Sequence, residues 1–372
     1  MKLKWFLPLL VLNFVTLGLN AQVYSNKVLN EKDKARLDSI ASEEYSYLLP
    51  IWGKKVTALG FDLPYSAGFS LNYLGQRSEL IIDNLNVGVN NGPLVNLDQV
   101  VRFNNVEGTT RGLNVRPDFW LFPFLNIYGI LASSRTSTEV DFGIWLPNGT
   151  SEEEIFNYVT KAEFDATSLG FGITPTMGVG GGWLALDMNF TWTDIPELEK
   201  PAYSFIFGPR LGKSFSLGKP ESNIAIWVGG FRVNLSSETS GIISLSEVLP
   251  EDGNLSTKIE NGLEAVATRQ MDLDNWYNDL TPAQQRLNQI KYDAANRVLE
   301  AAHNSLTRID EATEAAEQST ISYTLDKRLK DKWNFVIGSQ LQINKHWMVR
   351  AEIGFLKSRQ QIITGIQYRF GL

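Results

Sequence analysis

The chain of 372 residues contains no cysteine and only two histidines, His303 and His346. The first absence excludes disulfides, thiolate metal sites, cysteine nucleophiles and anchoring through a lipidated cysteine. The second leaves little for general acid–base chemistry. Past residue 21 no run of eighteen apolar residues occurs, which excludes membrane-spanning helices. Basic residues are also in deficit, with a formal net charge of −7 and no basic stripe, so nucleic acid is not an expected partner.

The N-terminus is patterned differently. Lys2 and Lys4 precede an apolar run from Trp5 to Leu19, and Asn20 and Ala21 precede Gln22. That is the order of a secretory signal peptide, with cleavage expected after Ala21. Removing it takes the net charge to −9. The expected divisions are a signal peptide over 1–21, a periplasmic N-terminal segment over 22–60 and a barrel over 61–372.

What the rest has in quantity is alternation. Ten Trp, 12 Tyr, 20 Phe and 30 Gly suit many short-period strands better than a globular core. At the C-terminus Ile362, Thr364, Ile366, Tyr368 and Phe370 share one face, and Gln361, Ile363, Gly365, Gln367 and Arg369 the other. Upstream, Trp347, Val349, Ala351, Ile353 and Phe355 alternate with Met348, Arg350, Glu352, Gly354 and Leu356. Trp333, Phe335, Ile337, Leu341 and Ile343 form a third apolar face. Aromatics at the ends of an apolar face suit interface girdles, and polar, glycine-rich faces suit a lumen. The same two-residue period recurs at Leu113–Leu121, Leu184–Trp192, Tyr203–Leu211 and Ala225–Val233, where Arg232 falls on the polar face. The fold expected is all-β: an antiparallel transmembrane β-barrel of about ten strands, within a range of eight to twelve.

Turn length sets the expected orientation. Phe122 with Pro123, and 177–182, 217–223 and 344–346, are short and read as periplasmic. The segments near 85–105, 147–161, 194–200 and 238–331 read as outer loops. Gly178 and Gly180 to Gly182 join two strands, so they mark a turn and not a phosphate loop. Pro117 interrupts a strand pattern and predicts a bulge or a locally broken pair.

Two segments read as helical. Residues 30–48 form an amphipathic stretch before the first strand, suited to an N-terminal cap or to a gating plug. Residues 258–319 form a helical insert in an outer loop. Thr281, Pro282 and Gln284 make a capping box with proline at the first helical position. Leu287, Ile290, Ala294, Val298, Leu299, Ala302, Leu306 and Ile309 then follow at helical spacing. That stripe needs a partner helix, the barrel rim or another protein.

The expected lumen-lining residues are Arg116, Asp118, Asp187, Arg210, Arg232, Arg350, Glu352 and Arg369. They either pair into a closed network or form a hydrated, arginine-rich ladder favouring anions. No residue pattern points to a cofactor, a metal or a catalytic site, and His303 with Ser305 on a helix is weak material for a hydrolase.

Leu121-Phe122-Pro123-Phe124-Leu125-Asn126-Ile127-Tyr128-Gly129, the stretch from Ala185 to Asp194 and the terminal Gly365-Ile366-Gln367-Tyr368-Arg369-Phe370 resemble an uncharacterised family of Gram-negative outer-membrane β-barrel proteins. The resemblance covers roughly 60–240 and 320–370. It implies the fold and an outer-membrane location, and brings no site residues. The expected partners are outer-membrane lipid and lipopolysaccharide, the barrel-assembly machinery during biogenesis, and a protein at 258–319. The leading functional expectation is permeation or binding of small polar or anionic solutes. The alternative is a structural or interaction barrel with a packed lumen, and the third is a lipid-modifying outer-membrane enzyme.

Overall fold

The computed structural model describes residues 45–372 apart from 60, 91, 99–100, 149–150, 197, 199, 220, 236–237, 245–254 and 315–319. The signal-peptide reading and the helix expected over 30–48 lie outside the described residues except at 45–48, which are not helical. A short helix, α1 (Gly53–Ala58), follows in the same segment.

The strands are β1 (Ala67–Val89), β2 (Val95–Asn96), β3 (Val101–Phe122), β4 (Leu125–Asn148), β5 (Ser151–Val179), β6 (Gly182–Asp194), β7 (Ala202–Ser216), β8 (Asn223–Leu235), β9 (Glu238–Ser244), β10 (Thr320–Leu329), β11 (Trp333–Gln342), β12 (Trp347–Leu356) and β13 (Arg359–Phe370). Ten of them, β1, β3 to β8 and β11 to β13, form a closed antiparallel ring. β13 closes it on β1, in register from Ala67 opposite Phe370 to Ser78 opposite Arg359.

The outer surface of the ring carries the apolar faces. Phe69, Leu71 and Tyr73 on β1, Leu113 and Val115 on β3, and Val349, Ile353 and Phe355 on β12 are exposed. In water such a belt would be costly at ~25 cal/mol per Å²; in hydrocarbon it is the matched surface. β12 has 10 residues, within the ~9–11 that a tilted strand needs to cross. Aromatic pairs mark both edges. Trp347 meets Tyr368 at 5.0 Å at one edge, and Trp192 meets Tyr203 at 5.4 Å at the other. Among the described residues no helix is long and apolar enough to cross a membrane, so the crossing is made by strands.

The ring has a turn end and a lobe end. At the turn end β5 and β6 are joined by Gly180 and Gly181 at φ 57° and 79°, the paired left-handed conformation of a tight hairpin turn. Residues 45–66 fold back beneath this end: Ile51 N donates to Leu121 O at 2.9 Å, and Leu49 N to Leu372 O at 3.3 Å. The Tyr45 hydroxyl donates to Leu49 O at 2.5 Å.

At the lobe end several strands outrun the membrane. β4 and β5 have 24 and 29 residues and stay paired as far as Asn148 opposite Ser151. The loop expected near 147–161 is therefore mostly strand, and 85–105 is partly strand. Above the girdle these strands turn their apolar side chains inward, among them Ile144, Leu146, Phe156 and Tyr158, and lose the lipid-facing apolar belt that identifies the barrel below, which is why they read as loops. β1 leaves β3 above Glu79 opposite Glu107. From Leu80 onward β1 pairs with β10, which pairs with β9. Two sheets thus diverge from one rim.

Helices α2 (Leu255–Asn278) and α3 (Pro282–Glu314) lie between β9 and β10 in sequence. Half of the capping box forms: Gln284 Oε1 accepts from Thr281 N at 3.0 Å, and the Thr281 hydroxyl donates to the same oxygen at 2.9 Å. Leu255, Ile259, Val266, Leu299, Ala302 and Leu306 bury against Val101, Ile144, Leu146, Phe156 and Tyr158 of the sheet. The helical stripe therefore packs on both its partner helix and the rim. Its distal end does not: Leu287 and Ile290 are 82% and 80% exposed.

Pro117 keeps its register with Phe69 on one side. Toward β4 the pairing skips from Val115 opposite Leu131 to Asp118 opposite Tyr128 without a register change. The missing N–H breaks the ladder locally and produces no bulge.

Truncating fully buried Leu306 to Ala is expected to cost about 2–5 kcal/mol of lobe stability. The hairpin should become protease-sensitive while the heat-modifiable barrel band is unchanged on an SDS gel. Tyr45 gives a pH prediction. Burial, and then the neighbouring Tyr47, push its hydroxyl from 10.0 up to about 12. A raised folded value favours the neutral phenol, so its contribution is whole below pH 10.0 and is lost as pH rises through about 12. Protease access to 45–66 should rise across that window in the native chain, and Tyr45→Phe should flatten the rise.

Candidate functional site

Alternation along β6, β7 and β12 sends Asp187, Arg210 and Glu352 to the inside of the ring. Arg210 Nε and NH2 donate to the two oxygens of Glu352 at 2.7 and 2.9 Å. Its NH1 donates to Asp187 Oδ2 at 3.0 Å. One guanidinium thus joins β7 to β6 beside it and to β12, with β8 and β11 between. A bidentate arginine–carboxylate pair is the strongest form of this contact. Arg350 NH2 donates to Glu352 Oε2 at 3.3 Å and Trp227 Nε1 to the same oxygen at 2.7 Å. Asp187 Oδ1 accepts from Tyr128 OH at 2.6 Å and Thr174 Oγ1 at 2.5 Å. Arg116 stacks over the Tyr128 ring at 3.9 Å. A Cβ at Gly338 would overlap the Trp227 indole, so the wall is thinned where the indole enters.

A second group lies nearer the turn end. Arg369 NH1 pairs with Asp118 Oδ1 at 3.0 Å, and Asp118 also accepts from Asn126 at 2.9 Å and Gln367 at 2.7 Å. Arg369 Nε donates to Tyr65 O at 2.9 Å, which ties the N-terminal segment into the ring. The space left among these groups is a cavity of about 130 Å³, below the ~300 Å³ at which ligand pockets begin. Toward the lobe end the guanidinium of Arg359 lies 4.6 Å from the Phe231 ring and its NH2 donates to Gln76 Oε1 at 3.1 Å. Phe231, Val233, Val336 and Leu329 form a buried apolar cluster beside it.

Arg116, Asp118, Asp187, Arg210, Arg350, Glu352 and Arg369 therefore lie inside the ring. Arg232 does not: it is exposed on the outer face, and Phe231 and Val233 are buried. β8 is apolar on both faces, with Ile226 and Val228 exposed and Ala225 and Trp227 buried, so its period could not say which face was which. Arg359 was missed because the last strand was begun at Gln361. Continuing the same alternation by two residues finds it.

The histidines sit elsewhere. His303 is exposed on α3, and the Ser305 hydroxyl donates to Ala301 O at 2.6 Å. His346 holds the Arg369 carbonyl at 2.8 Å through Nδ1. Neither is arranged with a nucleophile.

Arg210→Met would leave Asp187 and Glu352 without their shared cation, a loss on the order of 3–5 kcal/mol. Urea midpoints of the folded barrel in vesicles should fall accordingly. Replacing all three residues with apolar ones of similar volume should recover most of the loss.

No family model matches the chain, and no curated protein sequence does. Solved structures similar to it include the transport unit of the autotransporter AIDA-I from Escherichia coli (9% identity, 92% of this chain and 100% of that one, TM-score 0.31). Another is the translocator domain of autotransporter NalP from Neisseria meningitidis (9% identity, 91% and 95%, TM-score 0.30). A third is the Ralstonia pickettii toluene transporter TbuX (7% identity, 83% and 90%, TM-score 0.28). At those scores the chains do not superpose as whole molecules, so placement rests on the ring itself. A closed antiparallel ring, apolar outside, charged inside and edged by aromatics, makes this chain an outer-membrane β-barrel.

Proposed function

We propose that this is a closed, non-conducting barrel whose work is done by what its lobe end displays outside the cell. The observation that carries the reading is the Arg210 clamp, which joins β6, β7 and β12 across the lumen through contacts of 2.7–3.0 Å. A guanidinium held by two buried carboxylates does not move aside for a solute without leaving charges unpaired. Ten strands leave little interior to begin with, and indoles and guanidiniums occupy it. The orientation follows from construction: two-residue and similarly short turns at one end, long strands and a helical hairpin at the other. The belt then meets outer-membrane lipid, the barrel-assembly machinery inserts the chain, and the hairpin tip carrying Leu287 and Ile290 is the part free to meet a partner protein.

A second reading, binding or passage of small anions, draws on the interior charge. Arg116, Arg210, Arg350, Arg359 and Arg369 outnumber Asp118, Asp187 and Glu352. For a lipid-modifying activity, neither histidine is paired with a nucleophile among the described residues. Planar-bilayer recording separates the first two readings. The intact protein, and a form lacking the helical hairpin, are expected to give no sustained conductance steps; anion-selective steps from the intact protein would overturn the closed-barrel reading.

A further inference from the structure

Above the aromatic girdle the two diverging sheets do not meet. Between them, under α3, is a second cavity of about 550 Å³, well within the ~300–1,000 Å³ of small-molecule sites. Its walls are mostly carbon: Ile82 and Ile321 come from the β1–β10 arm, and Phe103, Val140, Phe142 and Phe164 from the β3–β5 sheet, with Thr138, Thr160 and Asn304 among the few polar groups. It borders the packed core of the lobe, whose Val101 and Phe156 also reach it.

The charged groups on this cavity are unequal. Lys327 of β10 and Arg297 and Arg308 of α3 line it, against a single acid, Glu300. Lys327 is half-buried and sits on the cavity face of its strand with Leu325. The acids near it in the sheet are engaged elsewhere: Asp326 accepts from Asn84 at 2.5 Å, Asp83 from Arg328 at 3.1 Å, and Glu79 from Lys330 at 2.6 Å. Among the described residues none is within ion-pair distance of Lys327. Burial pushes its ammonium below the ordinary lysine value, and an anion seated beside it would restore the charged form.

From this juxtaposition we infer that the lobe cavity binds a free single-chain amphipathic anion, with its alkyl chain between the two sheets and its carboxylate or equivalent head on Lys327. Apolar walls supply the affinity and Lys327, the cation set on the cavity face of β10, the orientation, a usual division of labour in such sites. At about 550 Å³ the cavity suits a single alkyl chain. The site is independent of whether the lumen conducts.

The test uses the full-length protein in amphipol, a fluorescent undecanoate as probe, and decanoate, decanol and phosphatidylglycerol vesicles as competitors. Saturable probe binding is expected, displaced by decanoate and not by the vesicles. Lys327→Met should weaken decanoate by about tenfold, the scale of one charge-assisted hydrogen bond, and leave decanol unchanged. Val140→Trp and Ile321→Trp should abolish both while heat-modifiability on a gel confirms folding. Absence of saturable binding by the native protein, binding untouched by both folded Trp variants, equal loss of decanoate and decanol in Lys327→Met, or displacement by the vesicles would each overturn the inference.

Discussion

Everything in this structure follows from one requirement: in hydrocarbon a backbone N–H or C=O has no water to pair with, so the chain must supply every partner itself. Ten antiparallel strands meet it only when the last returns to the first. Here that closure is the ladder between β1 and β13, running from Ala67 with Phe370 to Ser78 with Arg359. Once the ring is shut, strand geometry divides the side chains into two populations. One set faces lipid and is free to be Leu, Val, Ile and Phe. The other is forced inward, and its chemistry must be settled by the ring's own interior.

That interior is settled by pairing. An isolated guanidinium in a narrow lumen would be as costly as an unpaired backbone group, or more so. The chain answers with contacts that cross strands. Arg210 reaches Glu352 past two intervening strands, Trp227 donates to the same carboxylate, and Arg369 is shared between Asp118 and the backbone of Tyr65. Where acids run out, ring faces take their place: Arg116 lies on Tyr128 and Arg359 on Phe231, the cation–π form of the same compensation. The interior is therefore both the filling of the barrel and a set of struts between strands that are not neighbours in the sheet.

How far this was legible in the sequence depends on whether the two faces of a strand differ. In β11, β12 and β13 the outward face is almost wholly apolar and the inward face mostly polar, so the facing and the inward Arg350, Glu352 and Arg369 could be read directly. In β8 both faces are apolar, and the assignment of Arg232 to the lumen inverted the strand. The reason is local: Trp227 is apolar by composition but faces inward because its indole N–H has a carboxylate to reach. No one-dimensional pattern contains that partner, which lies 125 residues away. The turns and the Thr281–Gln284 cap were legible because their chemistry is local, at Gly180 and Gly181 and at the start of α3. The extended strands of the lobe were not, because outside lipid a sheet no longer needs an apolar belt and loses its signature.

The lobe then obeys a different solvent from the barrel below it. Within the membrane, apolar side chains may face outward and polar ones must be paired inward. Above the girdle that order reverses: Ile144, Leu146, Ile259 and Leu306 turn inward, and ion pairs such as Arg135 with Asp165 and Arg328 with Asp83 lie exposed outside. The reversal begins where β1 parts from β3, since a continuous ring would have carried the polar interior upward. Splitting the sheet opens a wedge whose inner surfaces are mostly carbon, and the helical hairpin closes only part of it. On the proposed reading the lumen is closed by charge while the lobe is left partly open to apolar matter. Chemistry used up by pairing in the one remains available in the other, and this contrast is the ground for placing the proposed function at the lobe end.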